Sequence, residues 1–435
     1  MNKNELTIIN ISAHCDPQAS MEEPDAGGQC VYQHSLALEL SKYSGIKVKT
    51  YCRQTGKRPD VTQVNDNYSI HRVQCGPSGF IPKEDIEPFL PEFVHKIKAE
   101  LPQHKVVLYA HYWEGGKSAL LLKAATSRPL PLVFTPHSLG SLKRDNFRGK
   151  ENEMMYHFIP RLTWENYTLH ISDHIIVSSE NERNTLKDDY AVDPEKVSII
   201  SPGLSLDSLK PISQPQARLD LGIVSNGKVI LCLGRMVATK GFHLALKAFA
   251  HLKQDYVEPL TLAIVGGSEK ATPESKSYFK RLQSLAKRMN LTSHVQFLPA
   301  VKKKDVNVAY SASDIFWLPS LREPFGLTGL EAMAMYRPVV ANNSDGPKAY
   351  IQSGYSGLLA SIKRPEKFAN ATTKLLQDTN LYRRIQKNAH SHVEESYSWE
   401  TIAPQFLDIL IETSQIKHQH LADWKKKDYF LKTYL

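Results

Sequence analysis

Residues 315–335 read Ile-Phe-Trp-Leu-Pro-Ser-Leu-Arg-Glu-Pro-Phe-Gly-Leu-Thr-Gly-Leu-Glu-Ala-Met-Ala-Met: a four-residue apolar run, a loop punctuated by Pro324 and Gly326, then an apolar stretch suited to a helix. A short apolar run bounded by turn residues is the pattern of a strand buried on both faces. A strand that runs through a fixed loop into a helix is a βα step, the repeating element of parallel sheets. The amides of Gly326, Leu327 and Thr328 open that helix, where about half a unit of positive charge gathers, so the loop suits phosphate oxygens. Glu331 stands one turn inside, where it accepts hydroxyl hydrogens such as those of a ribose, and Glu323 lies on the other side of the same anion site.

Runs of the same kind flank this stretch at Val229 to Leu233, Leu260 to Val265, Val295 to Phe297, Pro338 to Ala341 and Gly357 to Leu359. An earlier series comprises Leu6 to Ile11, Val48 to Tyr51, Val106 to Tyr109, Leu132 to Thr135, His174 to Val177 and Val197 to Ile200. Helical patterns lie between several of them, at Val31 to Lys42 and Arg161 to His170, and alternation of strand and helix implies parallel sheets. With 435 residues the chain exceeds what one core supports, so the expectation is an α/β protein of two domains, each built on a parallel sheet. The polar segment 204–226, with Pro211 and Pro215, reads as a loop carrying a hinge near Ser205 to Gln216. The expected division is residues 1–208 for the N-terminal domain and 209–411 for the C-terminal domain, with 412–435 a final stretch that packs on one of them. The stretch from Trp399 onward reads as helical, and Trp424, Tyr429, Phe430 and Tyr434 make it too aromatic for a free tail.

Lysine and arginine outnumber aspartate and glutamate by 54 to 45, a bias toward anionic partners such as nucleotides and sugar phosphates. The basic residues are dispersed and form no nucleic-acid motif, which argues against that class. The five cysteines, Cys15, Cys30, Cys52, Cys75 and Cys232, show no C-x-x-C pairing or metal-like clustering, the usage of a reducing cytosol. The run Leu6 to Ile11 is too short for a signal-peptide core, and no run approaches the roughly 20 apolar residues that span a bilayer. The expectation is a cytoplasmic chain without a transmembrane segment.

Four further strings carry chemistry. Asp25-Ala26-Gly27-Gly28-Gln29 follows the first strand and leads into a helix, so Gly27 and Gly28 allow backbone amides to approach a phosphate. Gly234-Arg235 follows the strand Val229 to Leu233, with Lys240 five residues on, two cations at the strand end where open α/β sheets bind ligands. Thr135-Pro136-His137-Ser138-Leu139-Gly140 places His137 at a strand end, where it can hydrogen-bond a sugar hydroxyl. Ala110-His111-Tyr112-Trp113-Glu114-Gly115-Gly116 offers rings and a carboxylate suited to sugar faces and hydroxyls.

Together these strings resemble the retaining GT-B glycosyltransferases, most closely the branch that includes sucrose-phosphate synthase and sucrose synthase, from about Ile8 to about Ser361. The most specific parts are Gly27-Gly28-Gln29 with Val31-Tyr32, the His137-Ser138-Leu139-Gly140 string, and Arg322 to Thr328 with Glu331. The resemblance implies two Rossmann-like domains facing across a cleft, and transfer of a hexose, with retention, from a nucleoside-diphosphate sugar to a small sugar or sugar phosphate, with UDP-glucose the first choice of donor and GDP-mannose the second. It implies that Arg235 and Lys240 hold the diphosphate beside Gly234, that Gly27 and Gly28 close over it, and that Glu331 binds ribose. It further implies that Glu323 and the backbone of Phe325, Gly326 and Leu327 bind the donor sugar, that His137 faces its 6-hydroxyl, and that the last helix crosses back to the N-terminal domain. Acceptor contacts are expected from Gln29, His111, Tyr112, Glu114 and Lys143. Sucrose-phosphate synthases generally carry His-Tyr-Ala-Asp-Ala-Gly where this chain has His111-Tyr112-Trp113-Glu114-Gly115-Gly116, so the acceptor side departs from that pattern.

No Asp-x-Asp motif is present, and Arg235, Lys240 and the helix start at Gly326 supply positive charge, so no metal and no separate cofactor is expected. Lys302 to Lys304 and Lys425 to Lys427 keep open a related enzyme acting on a lipid or polysaccharide, and a catalytically weak nucleotide-sugar-binding protein is the other alternative.

Overall fold

In the computed structural model, residues 5–19, 23, 27–56, 58–147, 153–267 and 273–416 are described. The chain divides into two compact units: the first runs to Ser201 and takes up the chain again from Ile402, and the second holds Pro202–Thr401. The tail positions 417–435, including Lys425 to Lys427 and the four aromatic residues singled out above, lie outside the described residues, as do Asp25 and Ala26.

The first unit is built on an eight-stranded sheet: β1 (Leu6–Ile11), β2 (Ile46–Arg53), β3 (Val61–Asn65), β4 (Tyr68–Val73), β5 (Lys105–His111), β6 (Leu132–Thr135), β7 (His174–Val177) and β8 (Val197–Ile199). Their spatial order is β3-β4-β2-β1-β5-β6-β7-β8. The central strand β1 is buried at every position because it has a parallel neighbour on each side, Ile8 aligning with Val48 of β2 and Val107 of β5. The second unit has six parallel strands, β9 (Lys228–Leu233), β10 (Leu260–Gly267), β11 (Val295–Pro299), β12 (Ile315–Leu318), β13 (Val339–Asn342) and β14 (Leu358–Ala360), in the order β11-β10-β9-β12-β13-β14. Helices cover both faces, and Trp317 on β12 is fully buried against Phe249 and Phe368 of two of them. Two parallel-sheet α/β units are present, as the strand-helix alternation implies.

Each sheet reverses its winding direction once. The chain moves outward from β1 through β2 to β4 and then crosses to β5, and it moves outward from β9 through β10 to β11 and then crosses to β12. Such reversals leave a crevice at the carboxyl ends of the two central strands, the place where open α/β sheets take ligands. These are the ends after β1 and β5 in one unit and after β9 and β12 in the other.

Three expectations need correction. The first sheet is not wholly parallel, because β3 pairs antiparallel with β4 at its edge. Half-polar alternation hides this hairpin, since β3 buries none of its residues. Segment 204–226 is not all loop: Gln214–Leu221 is a helix, capped by the Ser213 hydroxyl, with Pro215 in its first turn and Gly222 left-handed at its end. Those turn residues are helix punctuation. Lastly, the cysteine spacing shows no pair, yet Cys15 after β1 and Cys30 in the first turn of the next helix are joined as a disulfide. Among the described residues no helix is long and apolar enough to cross a membrane.

Candidate active site

In the second unit, a tight loop contact brings the expected donor residues together. Gly241 is left-handed (φ 71°), and a side chain there would overlap the carbonyl of Pro319. Only glycine permits that approach. The Leu321 amide donates to the Thr239 carbonyl at 2.8 Å, so the segments following β9 and β12 are laced side by side. Lys240 Nζ is thereby held 2.6 Å from Glu323 Oε2, and the Ser320 hydroxyl donates to the same oxygen at 2.8 Å. Arg235 lies exposed just beyond Gly234, whose φ of 155° few other residues adopt.

Gly326 (φ 96°) caps the helix Leu327–Ala334, with no side chain capping its first turn. The Tyr350 hydroxyl donates to the Gly326 carbonyl at 2.9 Å and packs so closely on Gly329 that a methyl group there would overlap it. Phe325 is buried and packs its ring 5.2 Å from that of Tyr350, which fixes the loop and leaves its backbone to face ligands. Glu331 is oriented by Tyr310, whose hydroxyl donates to Glu331 Oε2 at 2.6 Å and to the Thr328 carbonyl at 3.2 Å. Ser320, Tyr310 and Tyr350 are therefore parts of this site that sequence reading missed. Tyrosines within apolar runs carry no signal until the hydroxyl partner is known.

In the first unit, Gly27, Gly28 and Gln29 form the start of the helix Gly28–Leu40, whose first turn carries neither a side-chain cap nor an acidic residue. A side chain at Gly27 would meet no described atom within 4 Å. Gln29 Nε2 donates to the Ser12 hydroxyl at 3.2 Å, tying this start to the end of β1. Beside it His14 pairs through Nδ1 with Glu114 Oε1. Glu114 is fully buried, and its second oxygen has no partner among the described residues. His111 ends β5 and His137 follows β6, and their rings meet. Tyr112 (φ 65°) and His137 (φ 55°) both adopt the left-handed conformation, which is costly for residues with a side chain and clusters at functional sites.

A basic cluster completes this half. Arg161 is buried over the Tyr112 ring at 4.8 Å and donates to the Ser138 carbonyl at 2.7 Å, while its Nε is buried without a partner among the described residues. Glu165 underlies it, 3.5 Å from Arg161, accepting from the Gly140 amide at 2.8 Å and from the Tyr190 hydroxyl. Burial, then the charges of Arg161 and Lys83, push the Lys143 ammonium down to about 7. Such a lysine gains its proton most readily when an anion arrives. Lys83 comes from a loop that follows a clasp by Arg53, whose buried guanidinium donates to the carbonyls of Cys75, Pro77 and Gly79. His14, Lys83 and Arg161 were missed, because an isolated His, Lys or Arg in a loop or helix has no motif around it.

The expected site residues thus divide between the two units. Gly27, Gly28, Gln29, His111, Tyr112, Glu114, His137 and Lys143 belong to the first unit, and Gly234, Arg235, Lys240, Glu323, Phe325 to Thr328 and Glu331 to the second.

The family descriptions "Glycosyltransferase Family 4" and "Glycosyl transferases group 1" match residues 26–208 and 213–392. The D-inositol 3-phosphate glycosyltransferase of Corynebacterium urealyticum is 30% identical over 415 residues, covering 93% of this chain and 95% of its own. The chain belongs to the GT-B glycosyltransferases. The mannosylfructose-phosphate synthase of Agrobacterium fabrum is 27% identical to this glycosyltransferase over 96% of the chain and 94% of its own. The sucrose-phosphate synthase structure from Thermosynechococcus elongatus superposes with a TM-score of 0.81 at 27% identity, covering 94% of this chain and 98% of its own. The resemblance to the sucrose-phosphate synthase branch therefore holds across nearly the whole glycosyltransferase.

Proposed function

We propose that this glycosyltransferase moves a hexose, with retention, from a nucleoside-diphosphate sugar to a small polyol or sugar that carries a phosphate. The observation that carries this reading is the Arg161, Lys143 and Tyr112 cluster: a buried guanidinium N–H without a partner among the described residues, beside an ammonium whose charge is suppressed by burial and then by Arg161 and Lys83. A phosphate dianion accepts from both groups and balances their charge, whereas a neutral hydroxyl accepts a hydrogen bond but leaves the positive charge uncompensated. Two relatives, a D-inositol 3-phosphate glycosyltransferase and a mannosylfructose-phosphate synthase, support the same acceptor class by name.

The donor's diphosphate belongs with Arg235, Lys240 and the uncapped helix start at Gly326, and its ribose with Glu331. UDP-glucose is the first donor to test and GDP-mannose the second. In the transfer step the bond from the anomeric carbon to the diphosphate oxygen breaks and its electron pair leaves with the diphosphate. The acceptor oxygen bonds to the same face of that carbon, and its proton passes to a leaving phosphate oxygen. Lys240, Arg235 and the helix dipole stabilise the charge that grows there, so the step needs no divalent ion.

The test is incubation of the purified chain with each donor against phosphorylated acceptors and their unphosphorylated counterparts, with product mass and anomeric configuration as readouts. The expected product is an α-linked glycoside phosphate, formed equally well in chelator. Equal transfer to unphosphorylated acceptors would overturn the acceptor assignment, and a β-linked product would overturn retention.

A further inference from the structure

His111 and His137 form a ring pair whose protons can be placed by elimination. β5 and β6 run parallel with His111 aligned to Thr135, so the chain reaches His137 two residues later, and the left-handed backbone there turns its ring onto His111. The rings meet edge to edge, with planes 29° apart and centroids 5.2 Å apart, and His111 Nδ1 lies 3.0 Å from His137 Nε2. Tyr109 packs on the His111 ring at 4.1 Å and Tyr32 meets both imidazoles edge-on, so His111 is 1% exposed and cannot turn its ring without displacing both tyrosines. Burial holds both imidazoles well below their ordinary range, His137 with the charge of His14 as a second cause, so both are neutral at working pH.

Two neutral imidazoles share one N–H across a close N···N contact. If His137 Nε2 donated it, His111 would carry its own proton on Nε2, which is buried and has no partner among the described residues. An orphaned buried N–H is a rarer defect than an orphaned lone pair. The proton therefore belongs on His111 Nδ1, which donates to His137 Nε2 and forces the His137 proton onto Nδ1. That nitrogen engages none of the described residues, and His137 as a whole is only partly buried.

We propose that His111 is a positioning residue that fixes His137 as its Nδ1–H tautomer and so makes it a hydrogen-bond donor to an oxygen of the bound sugar. The role in transfer rests on the function proposed above, but the tautomer does not. An uncommitted imidazole offers the sugar a donor in one tautomer and only a lone pair in the other. The His111 contact removes the second state before substrate arrives.

The first arm of the test is long-range ¹H–¹⁵N correlation on the full chain with labelled histidine at pH 7, the two rings assigned from spectra of His111→Asn and His137→Asn. Both rings are expected neutral and protonated on Nδ1, and a His137 ring protonated on Nε2 would overturn the proposal. The second arm is kinetic. Asparagine places an amide nitrogen near the Nδ1 position, so His111→Asn should retain kcat within about threefold, whereas His111→Leu should lose about 10–100-fold in kcat with a smaller change in acceptor KM. Equal losses in both variants, both still folded by thermal melting, would show that His111 only fills space and would overturn the role. If His111→Leu fails to fold, the wild-type spectrum and the His111→Asn rate still decide. Absence of transfer with every donor, alongside the expected spectrum, would strike the proposed function and leave the tautomer standing.

Discussion

Replacing Lys240 by alanine separates stability from catalysis. Its ammonium lies 2.6 Å from Glu323 Oε2, with the lysine side chain about a quarter exposed and the glutamate about a tenth. Removing it leaves a mostly buried carboxylate with the Ser320 hydroxyl as its remaining donor among the described residues. At an effective dielectric near 20 two unit charges about 4 Å apart attract by about 4 kcal/mol before desolvation. The net loss for a hydrogen bond to a charged group is smaller, on the order of 1–3 kcal/mol. If Lys240 also stabilises the departing diphosphate, turnover falls separately, by about 100–1000-fold, or 2.7–4 kcal/mol of barrier. The double variant Lys240→Ala/Glu323→Gln keeps the side-chain shape and removes the unpaired charge. Stability should then return to within about 1 kcal/mol of the parent, while turnover stays low. Urea titration measures the first quantity and initial rates on the nucleotide sugar the second. Turnover within about threefold of the parent in Lys240→Ala, or turnover that recovers with stability in the double variant, would refute the role assigned to this cation.

Gly329→Ala should destabilise the second unit by about 1–3 kcal/mol, because the new methyl group overlaps the Tyr350 hydroxyl. Adding Tyr350→Phe should recover part of that loss in a denaturant titration, and no recovery would show that the strain lies elsewhere. Acid should weaken the first unit through His137: its folded value of about 3 lies below the unfolded one near 6.5, so stability is full above pH 6.5 and falls by up to about 1.4 kcal/mol per pH unit toward pH 3. His137→Asn, which tolerates the left-handed backbone, should reduce that slope and leave the part that buried His111 contributes, and an unchanged slope would exclude His137 as a cause. Thiol titration of the unfolded, unreduced chain should find three groups, Cys52, Cys75 and Cys232. Reduction of the Cys15–Cys30 bridge, which spans 15 residues, should cost about 3 kcal/mol, and five titrating thiols would remove the bridge.

The legible parts of the fold were those where one residue type does one job over a continuous stretch. Strands buried on both faces, such as Leu6–Ile11 and Ile315–Leu318, have uniform apolar runs and match the structure at both ends. β3 escaped because an edge strand faces water and resembles a loop, and the helix Gln214–Leu221 escaped because Pro215 and Gly222 mark helix ends as readily as turns. At the site, Gly326, Glu331 and Lys240 announced themselves through a strand-loop-helix string. Arg161, Tyr310 and Tyr350 matter through partners far away in sequence, such as Ser138, Glu331 and Gly326, and separations of that size leave no local pattern. The pairing of His14 with Glu114 is hidden for the same reason: it joins a loop to the first turn of a helix 100 residues away.

The return of the chain from Ile402 has a consequence on the ribosome. Ile402, Phe406 and Leu410 are buried, and the Phe406 ring stands 6.0 Å from that of Tyr32, so the first unit draws part of its interior from residues translated after the whole of the second. At about 5–20 residues per second, the intervening stretch of about 200 residues delays their arrival by about 10–40 s. For that interval the nascent first unit holds its sheet complete and one flank of its apolar interior uncovered, a natural client for a chaperone that binds exposed aromatic surface.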